Sequence, residues 1–351
     1  MLRLGLLYKF GKTGIWKIWL QLRLAYMPLT ERQSSMLHQL LSGANSIAGR
    51  QKLTILIFHQ VLAKKDSLRP WEPDCDKFDW QMGLIRQFFN PLPLSEAMAL
   101  LTSGELPPKS VCVTFDDGYR NNLEIALPIL NKHGIPATVF VATAFSAGRN
   151  MWNDRVIDLF ANFKGSEIDL SPADMGRKNI SHDLEKRTIV SKVVLKLKYL
   201  PLDQRQQIVD ELFAANSAQT ESSMMMTREE LCKIADSGIE LGSHTHSHPI
   251  LKSLEPAEQK QEILKSKELL EEWTGKKVTG FAYPNGRRNI DFDDVTKEIV
   301  RDLGFNYAVS TEWGYVSKQS DRFSLKRFTP WDNEPWKFHM RMLANFINQT
   351  P

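Results

Sequence analysis

The sequence predicts an α/β fold built on a largely parallel sheet, and three observations predict it. Short apolar runs alternate with helical patterns from about residue 53 onward, the rhythm of βα units. Three polar clusters follow directly after apolar runs, where α/β barrels and doubly wound sheets carry their active sites. The 351 residues are 42% hydrophobic and 25% charged, a globular balance that excludes a disordered chain, a collagen-like polymer or a coiled coil.

Residues 1–29 carry Arg3, Lys9, Lys12, Lys17 and Arg23, no acidic residue, and Trp16 and Trp19. Basic residues interrupt every apolar run there, so neither a membrane span nor a cleaved secretory signal is expected. The composition suits a helix in a membrane interface or one docked on its own domain. The expected location is therefore cytoplasmic, with residues 1–29 as the point of any peripheral contact with the inner membrane face. Residues 1–50 read as a basic amphipathic extension and residues 51–351 as one catalytic domain.

The predicted strands are Leu53–Phe58, Val111–Phe115, Ala137–Val141, Ile239–Leu241, Val278–Ala282 and Tyr307–Ser310. Asn122–Lys132 reads as a helix stopped at His133-Gly134, and Pro256–Trp273 as a helix with Ile263, Leu270 and Trp273 on one stripe before Gly275. From about 150 to 235 the rhythm breaks into charged helical sequence, His182–Leu200 and Leu202–Ala215, with no clear strand. That stretch is expected to be an insertion between barrel units. Near the C-terminus, His339 falls within a helical pattern, Trp336–Leu343.

Lys and Arg number 45 against 41 Asp and Glu, a net charge of +4, too small an excess to imply nucleic-acid binding. Cys75, Cys112 and Cys232 form no CxxC pair, which argues against a disulfide framework or a zinc–thiolate site.

The first polar cluster is Val113-Thr114-Phe115-Asp116-Asp117-Gly118-Tyr119. Adjacent carboxylates at a strand end repel and are costly to desolvate unless a proton or a cation neutralises one of them, and a metal would do so. The second is Gly242-Ser243-His244-Thr245-His246-Ser247-His248-Pro249, which holds three of the chain's eight histidines. In a helical turn His244 and His248 would share a face, whereas in an extended segment His246 would join them; Pro249 ends any turn at His248. His244 and His248 are the preferred ligands, with His246 outside. Two imidazoles and one carboxylate form a ligand set for catalytic Zn²⁺ that leaves room for water and substrate. The third cluster, Phe281-Ala282-Tyr283-Pro284-Asn285-Gly286, would pass for a turn on its own.

Together and in this order, Thr114-Phe115-Asp116-Asp117-Gly118, the His244/His248 pair and Phe281–Gly286 resemble the first three motifs of polysaccharide deacetylases with a NodB homology domain, the carbohydrate esterase family 4 group. The resemblance spans about residues 50–312. Ile55-Leu56-Ile57-Phe58-His59-Gln60-Val61 is similar to the strand-plus-histidine segment of the branch that contains poly-N-acetylglucosamine deacetylases.

The resemblance implies a distorted (β/α) barrel of the NodB type with a helical insertion, and a metal-dependent N-deacetylase. By it, Asp117, His244 and His248 would hold one divalent metal ion, with Zn expected and Co, Ni or Mn as alternatives. Asp116 would be the general base, the backbone N–H of Asn285 would meet the developing oxyanion, and His59 would be the general acid. A metal lowers the pKa of bound water to about 7, consistent with a carboxylate base at neutral pH. The substrate implied is an N-acetylated polysaccharide, glycolipid or sugar precursor. A non-catalytic glycan-binding barrel and an O-acetyl esterase or other amidase are the rival readings.

Many relatives place an Arg in the third motif to orient the base, but Ala282 stands there; Arg327, in Leu325-Lys326-Arg327-Phe328, is the candidate substitute. No leucine-x-histidine motif stands near the C-terminus, which favours His59 as the acid. Sugar sites use aromatic platforms and hydrogen-bonding side chains, for which Tyr119, Trp152, Asn153, Asp154, Tyr283, Trp313 and Trp331 are the candidates.

Overall fold

A computed structural model describes residues 31–180, 182–218 and 223–347. The basic segment 1–29, with its expected interfacial helix, lies outside the described residues. Helix α1 (Glu31–Ala48) leads into β1 (Lys52–Phe58), whose Leu53–Phe58 run is buried throughout. Then come α2 (Cys75–Phe88), β2 (Asn90–Pro91), α3 (Leu94–Ser103) and β3 (Ser110–Phe115). Asp74 starts α2 by accepting the Lys77 N–H at 2.8 Å.

The helix expected over 122–132 begins as a π-helical turn, Asn122–Ala126, and continues as α4 (Leu127–His133), ending at Gly134 with φ 61°. Strand β4 (Ala137–Val141) follows. After the insertion come α8 (Arg228–Asp236), β7 (Glu240–Ser243), α9 (Pro256–Thr274), β8 (Gly280–Ala282), α10 (Asp294–Asp302), β9 (Tyr307–Trp313), β10 (Val316–Ser317), β11 (Leu325–Arg327) and α11 (Pro335–Ile347).

The strands run in the order β1-β3-β4-β7-β8-β9-β11, each pair parallel, with β10 antiparallel on β1 and β2 beside β3. The β1–β3 register runs from Leu53 opposite Ser110 to Phe58 opposite Phe115. Phe328, just past β11, closes the circuit: its N–H donates to the Ile55 carbonyl at 2.7 Å and its carbonyl accepts the Ile57 N–H at 3.0 Å. The result is a nearly closed (β/α) barrel.

Period-two alternation splits each strand between two cores. Leu56, Phe58, Val111, Val113, Phe115, Val139 and Val141 pack toward the helices with Phe78 and Met82, while Ile55, Cys112, Phe140, Ala282, Val309 and Leu325 form a second cluster. Gly242 is required there, because a Cβ on it would meet the Phe140 ring at 2.3 Å. The same alternation puts Thr114 and Asp116 in phase with Cys112.

The insertion is a separate layer: α5 (Trp152–Asn162), a hairpin of β5 (Glu167–Asp169) and β6 (Arg177–Asn179), α6 (Asp183–Leu197) and α7 (Leu202–Ala215). It has its own apolar cluster, including Val156, Phe160, Ile168, Val193, Leu197, Val209 and Leu212. The hairpin corrects the expectation of a strandless insertion. Its second strand, Arg177-Lys178-Asn179, is exposed and polar throughout, so it carries no alternation for a sequence to reveal; left-handed residues Asp174 and Gly176 make the turn.

Helix α1 packs along α11, where His38 Nδ1 lies 2.9 Å from His339 Nδ1. Among the described residues no helix is long and apolar enough to cross a membrane.

Candidate active site

The site is assembled at the carboxyl ends of the barrel strands. At the end of β3 the Asp116 N–H still bonds the Phe58 carbonyl at 3.0 Å, and then the chain breaks away: Asp117 has φ 76° and Gly118 φ 90°. A left-handed aspartate is uncommon and costs energy, and here it turns the Asp117 side chain to the site. At the end of β7 the His244 N–H bonds the Val141 carbonyl at 3.0 Å.

Residues 244–248 form no helical turn, because Thr245 and His248 are left-handed at φ 67° and 57°. Glu262 of α9 dictates this path by accepting the N–H groups of His246 and Ser247 at 3.0 and 2.8 Å. The loop still delivers His244 and His248 to one point, ring centroids 4.8 Å apart. His246 turns elsewhere, its Nδ1 2.9 Å from the Thr143 hydroxyl.

One ligand atom from each of Asp117, His244 and His248 lies within 4.8 Å of the others. Asp117 Oδ1 is 3.4 Å from His244 Nε2 and 3.5 Å from His248 Nε2, and it is buried without a hydrogen-bond partner. His244 Nδ1 faces the Ala282 carbonyl at 2.7 Å, so the proton sits on Nδ1 and the Nε2 lone pair faces Asp117.

Burial works to raise the Asp117 carboxyl, but the three surrounding imidazoles, His244, His248 and His59, hold it well below the ordinary carboxylate range. Burial drives His248 down to about 3 against the pull of Asp117. Burial also works to lower His244, but Asp117 and Asp116 outweigh it and leave His244 raised. An orphaned buried carboxylate oxygen ringed by imidazole nitrogens fits a divalent cation.

Beside this trio Asp116 is 2% exposed and held on both oxygens: Arg327 Nη1 donates to Oδ1 at 2.7 Å and Nη2 to Oδ2 at 2.6 Å. Arg327 is fixed in turn, its Nε donating to the Ser310 carbonyl at 2.8 Å and Nη1 also to the Thr114 hydroxyl at 3.2 Å. Burial acts to raise Asp116, and the charges of Arg327 and His244 more than offset it, so the carboxyl titrates below its usual value.

A cavity of about 430 Å³ opens above these residues. His59, at the end of β1, lines it beside Glu72, whose carboxyl accepts the Gln60 N–H at 3.2 Å. Burial raises the Glu72 carboxyl, and the nearby His59 opposes that. Asn285 lines the wall at φ 59°; its carbonyl accepts the Thr311 hydroxyl at 2.6 Å and its N–H has no partner among the described residues.

Of the sugar-contact candidates, Tyr119, Trp152, Asn153 and Asp154 line the cavity. Tyr119 is no open platform, being 2% exposed with its hydroxyl donating to Asp154 Oδ2 at 2.6 Å. Burial pushes Asp154 up to about 6, against Arg69 and Tyr119. Of the other three candidates Tyr283 is corrected, and Trp313 and Trp331 are not among the residues that line the cavity. Tyr283 is wholly buried, stacked on Phe292 at 3.8 Å with its hydroxyl on the Phe323 carbonyl. Trp313 and Trp331 stack on each other at 5.2 Å outside the cavity wall, Trp313 against Phe328 and Trp331 beneath Arg341. An aromatic beside a motif reads the same in sequence whether it packs or binds.

Sequence reasoning missed Arg69, Glu72, Lys198 and Arg205, which also line the cavity. One signal was present for Arg205: it shares a helical stripe with Val209 and Leu212, a charge on an apolar face.

A nearly closed (β/α) barrel with this carboxylate–imidazole cluster at its strand ends has the layout of an active site, and the family match gives its class, a deacetylase hydrolase. Residues 103–189 and 196–308 match the family model described as polysaccharide deacetylase, and the chain belongs to that family, the carbohydrate esterase family 4 group with a NodB homology domain. It is 25% identical over 278 residues to YxkH of Bacillus subtilis (strain 168), whose name places it among polysaccharide deacetylases; the match covers 79% of this chain and 70% of YxkH.

Two solved structures share the fold. The Streptococcus pyogenes deacetylase PplD in complex with acetate has TM-score 0.57 at 22% identity, covering 83% of this chain and 98% of PplD. IcaB from Ammonifex degensii has TM-score 0.53 at 19% identity, covering 85% and 98%.

Proposed function

We propose that the protein removes N-acetyl groups from sugars of a polysaccharide, glycolipid or sugar precursor, with one divalent cation, Zn²⁺ first among the choices, held by Asp117, His244 and His248. The observation that carries this reading is the orphaned Asp117 Oδ1 between two imidazole nitrogens, next to an Asp116 locked by Arg327. Bound there, such a cation supplies Lewis acidity and makes water more acidic.

The chain's own residues supply the remaining chemistry. Asp116 keeps a free lone pair on each oxygen while Arg327 fixes its plane, so it takes the proton of the attacking water in a set geometry. Its low pKa keeps it ionised and ready at neutral pH. The Asn285 N–H, without a partner among the described residues, serves the developing oxyanion, worth about 3 kcal/mol for one such group. His59, which lines the cavity beside Glu72, passes a proton to the departing amine nitrogen. Trp152 and Asn153 offer contact surface for the sugar. Residues 1–29 support a peripheral contact with the inner face of a membrane, which flotation with anionic vesicles tests.

The test is acetate release from N-acetylated oligosaccharides and from O-acetylated xylan, with metal analysis of the same sample. Release from the N-acetyl panel, abolished in Asp116→Asn, is the result expected. Release only from the O-acetyl ester, or full turnover by Asp116→Asn, would overturn the reading.

A further inference from the structure

The helical insertion brings into the cavity a cation that no carboxylate among the described residues neutralises. Arg205, in the first turn of α7, is 5% exposed and lines the same cavity as His244 and His248. Its guanidinium lies 4.6 Å over the Trp152 ring, and Nη1 donates to the Lys198 carbonyl at 3.2 Å. Among the described residues no carboxylate pairs with it.

The other arginines of the region are matched: Arg69 reaches Asp66, Asp154 and Asp158, and Arg327 grips Asp116. Burial pulls Arg205 down to about 10, and no acid among the described residues opposes it. Lys198, from the end of α6, also lines the cavity.

A guanidinium stays charged at any working pH and presents five donors in a planar fork. One of those donors caps α6 through the Lys198 carbonyl, and the ring contact with Trp152 uses the face. The rest of the fork remains for an anion. A buried charge without a counter-ion is costly, and a negatively charged ligand group removes that cost while gaining charge-assisted hydrogen bonds.

We infer that the insertion selects N-acetylated sugars bearing an anionic group, a carboxylate or a phosphate, which docks on Arg205 with help from Lys198 while the acetamido group reaches the Asp116–Asp117 side of the cavity. This deepens the deacetylase reading and rests on it. The anion lies on the reacting sugar or on its neighbour, and the barrel wall alone would not discriminate for it.

The experiment compares three substrates on the wild-type holoenzyme: neutral tri-N-acetylchitotriose, the same trisaccharide bearing a uronate carboxylate, and the same trisaccharide bearing a phosphate ester. At least one charged trisaccharide is expected to show kcat/KM about tenfold or more above the neutral one, mostly through a lower KM, as a charge-assisted pair implies. Which arm wins tells carboxylate from phosphate. In Arg205→Gln the charged-to-neutral ratio falls toward one, and Arg205→Lys recovers part of it, with metal content and circular dichroism confirming the fold of each.

Equal hydrolysis of all three trisaccharides by the wild type would overturn this inference and leave the deacetylase reading intact. So would a wild-type ratio kept by Arg205→Gln. No acetate from any of the three would bring down the deacetylase reading, and this inference with it.

Discussion

The barrel wall and the helical insertion face the same cavity and handle buried charge in opposite ways. In the wall every buried ionic group is answered within the chain: Asp116 by Arg327, Arg327 also by Ser310 and Thr114, and His244 by the Ala282 carbonyl. Asp117 Oδ1 is the exception, and it sits where a cation fits. In the insertion Arg205 is buried over Trp152 with no acid beside it among the described residues. Matched charges hold a geometry in place, whereas an unmatched one invites a ligand. The proposed division of labour follows from this, with chemistry on the wall and recognition on the insertion.

The largest expected effect strikes the wall. Asp116→Asn should cut turnover by about 10²–10⁴-fold, the usual worth of a general base, while metal content stays near wild type. Retained turnover would mean that the wall's carboxylate is structural.

Next is Arg327→Met, which leaves Asp116 buried and unanswered and should cost about 3–5 kcal/mol of stability, read by urea denaturation. The combined variant Asp116→Leu with Arg327→Met should recover part of that cost. If the two losses simply add, the pair is not the coupled unit described here.

Leu212→Ala sharpens the contrast between regions. The lost packing should cost about 2–5 kcal/mol, felt first in the insertion because Leu212 belongs to that layer's own cluster. Hydrogen exchange should speed up over residues 183–215 while β3 and β4 keep their protection. Equal loss across both regions would show one cooperative unit.

The smallest effect lies away from the cavity, at the contact between α1 and α11. Burial, with help from the neighbouring His38, drives His339 from 6.5 down to about 3, and burial lowers His38 as well. Below pH 6.5 the unfolded chain therefore binds protons that the folded one refuses. The stabilisation is complete above that pH and is lost as pH falls toward 3, at about 1.4 kcal/mol per pH unit at most for one group. In His339→Phe, which suits a site ringed by Phe88 and Phe89, the slope of stability against pH should be shallower. An unchanged slope would remove this histidine pair from the acid sensitivity.

Much of the barrel was legible because its strands are continuous apolar runs. Leu53–Phe58 and Val111–Phe115 are buried on both faces, so composition alone marks them. The clustering of Asp116, Asp117, His244 and His248 was legible because motifs follow strand ends, so they could be gathered before their geometry was known. Arg327 was nameable as a partner for Asp116 only because Ala282 left a vacancy in the motif. Other features depended on the fold. The left-handed turns at Thr245 and His248 answer to Glu262 on another helix, and no local pattern encodes them. Tyr283 stands in a motif yet packs on Phe292, and Glu72 meets His59 only through tertiary structure.

The most direct test is the metal content of purified protein by elemental analysis, wild type beside Asp117→Asn, His248→Ala and His246→Ala. One equivalent of divalent cation is predicted in wild type and His246→Ala, falling below about a tenth of an equivalent in the other two, as removal of one of three ligands from a small site implies. A full equivalent retained by both Asp117→Asn and His248→Ala would contradict it.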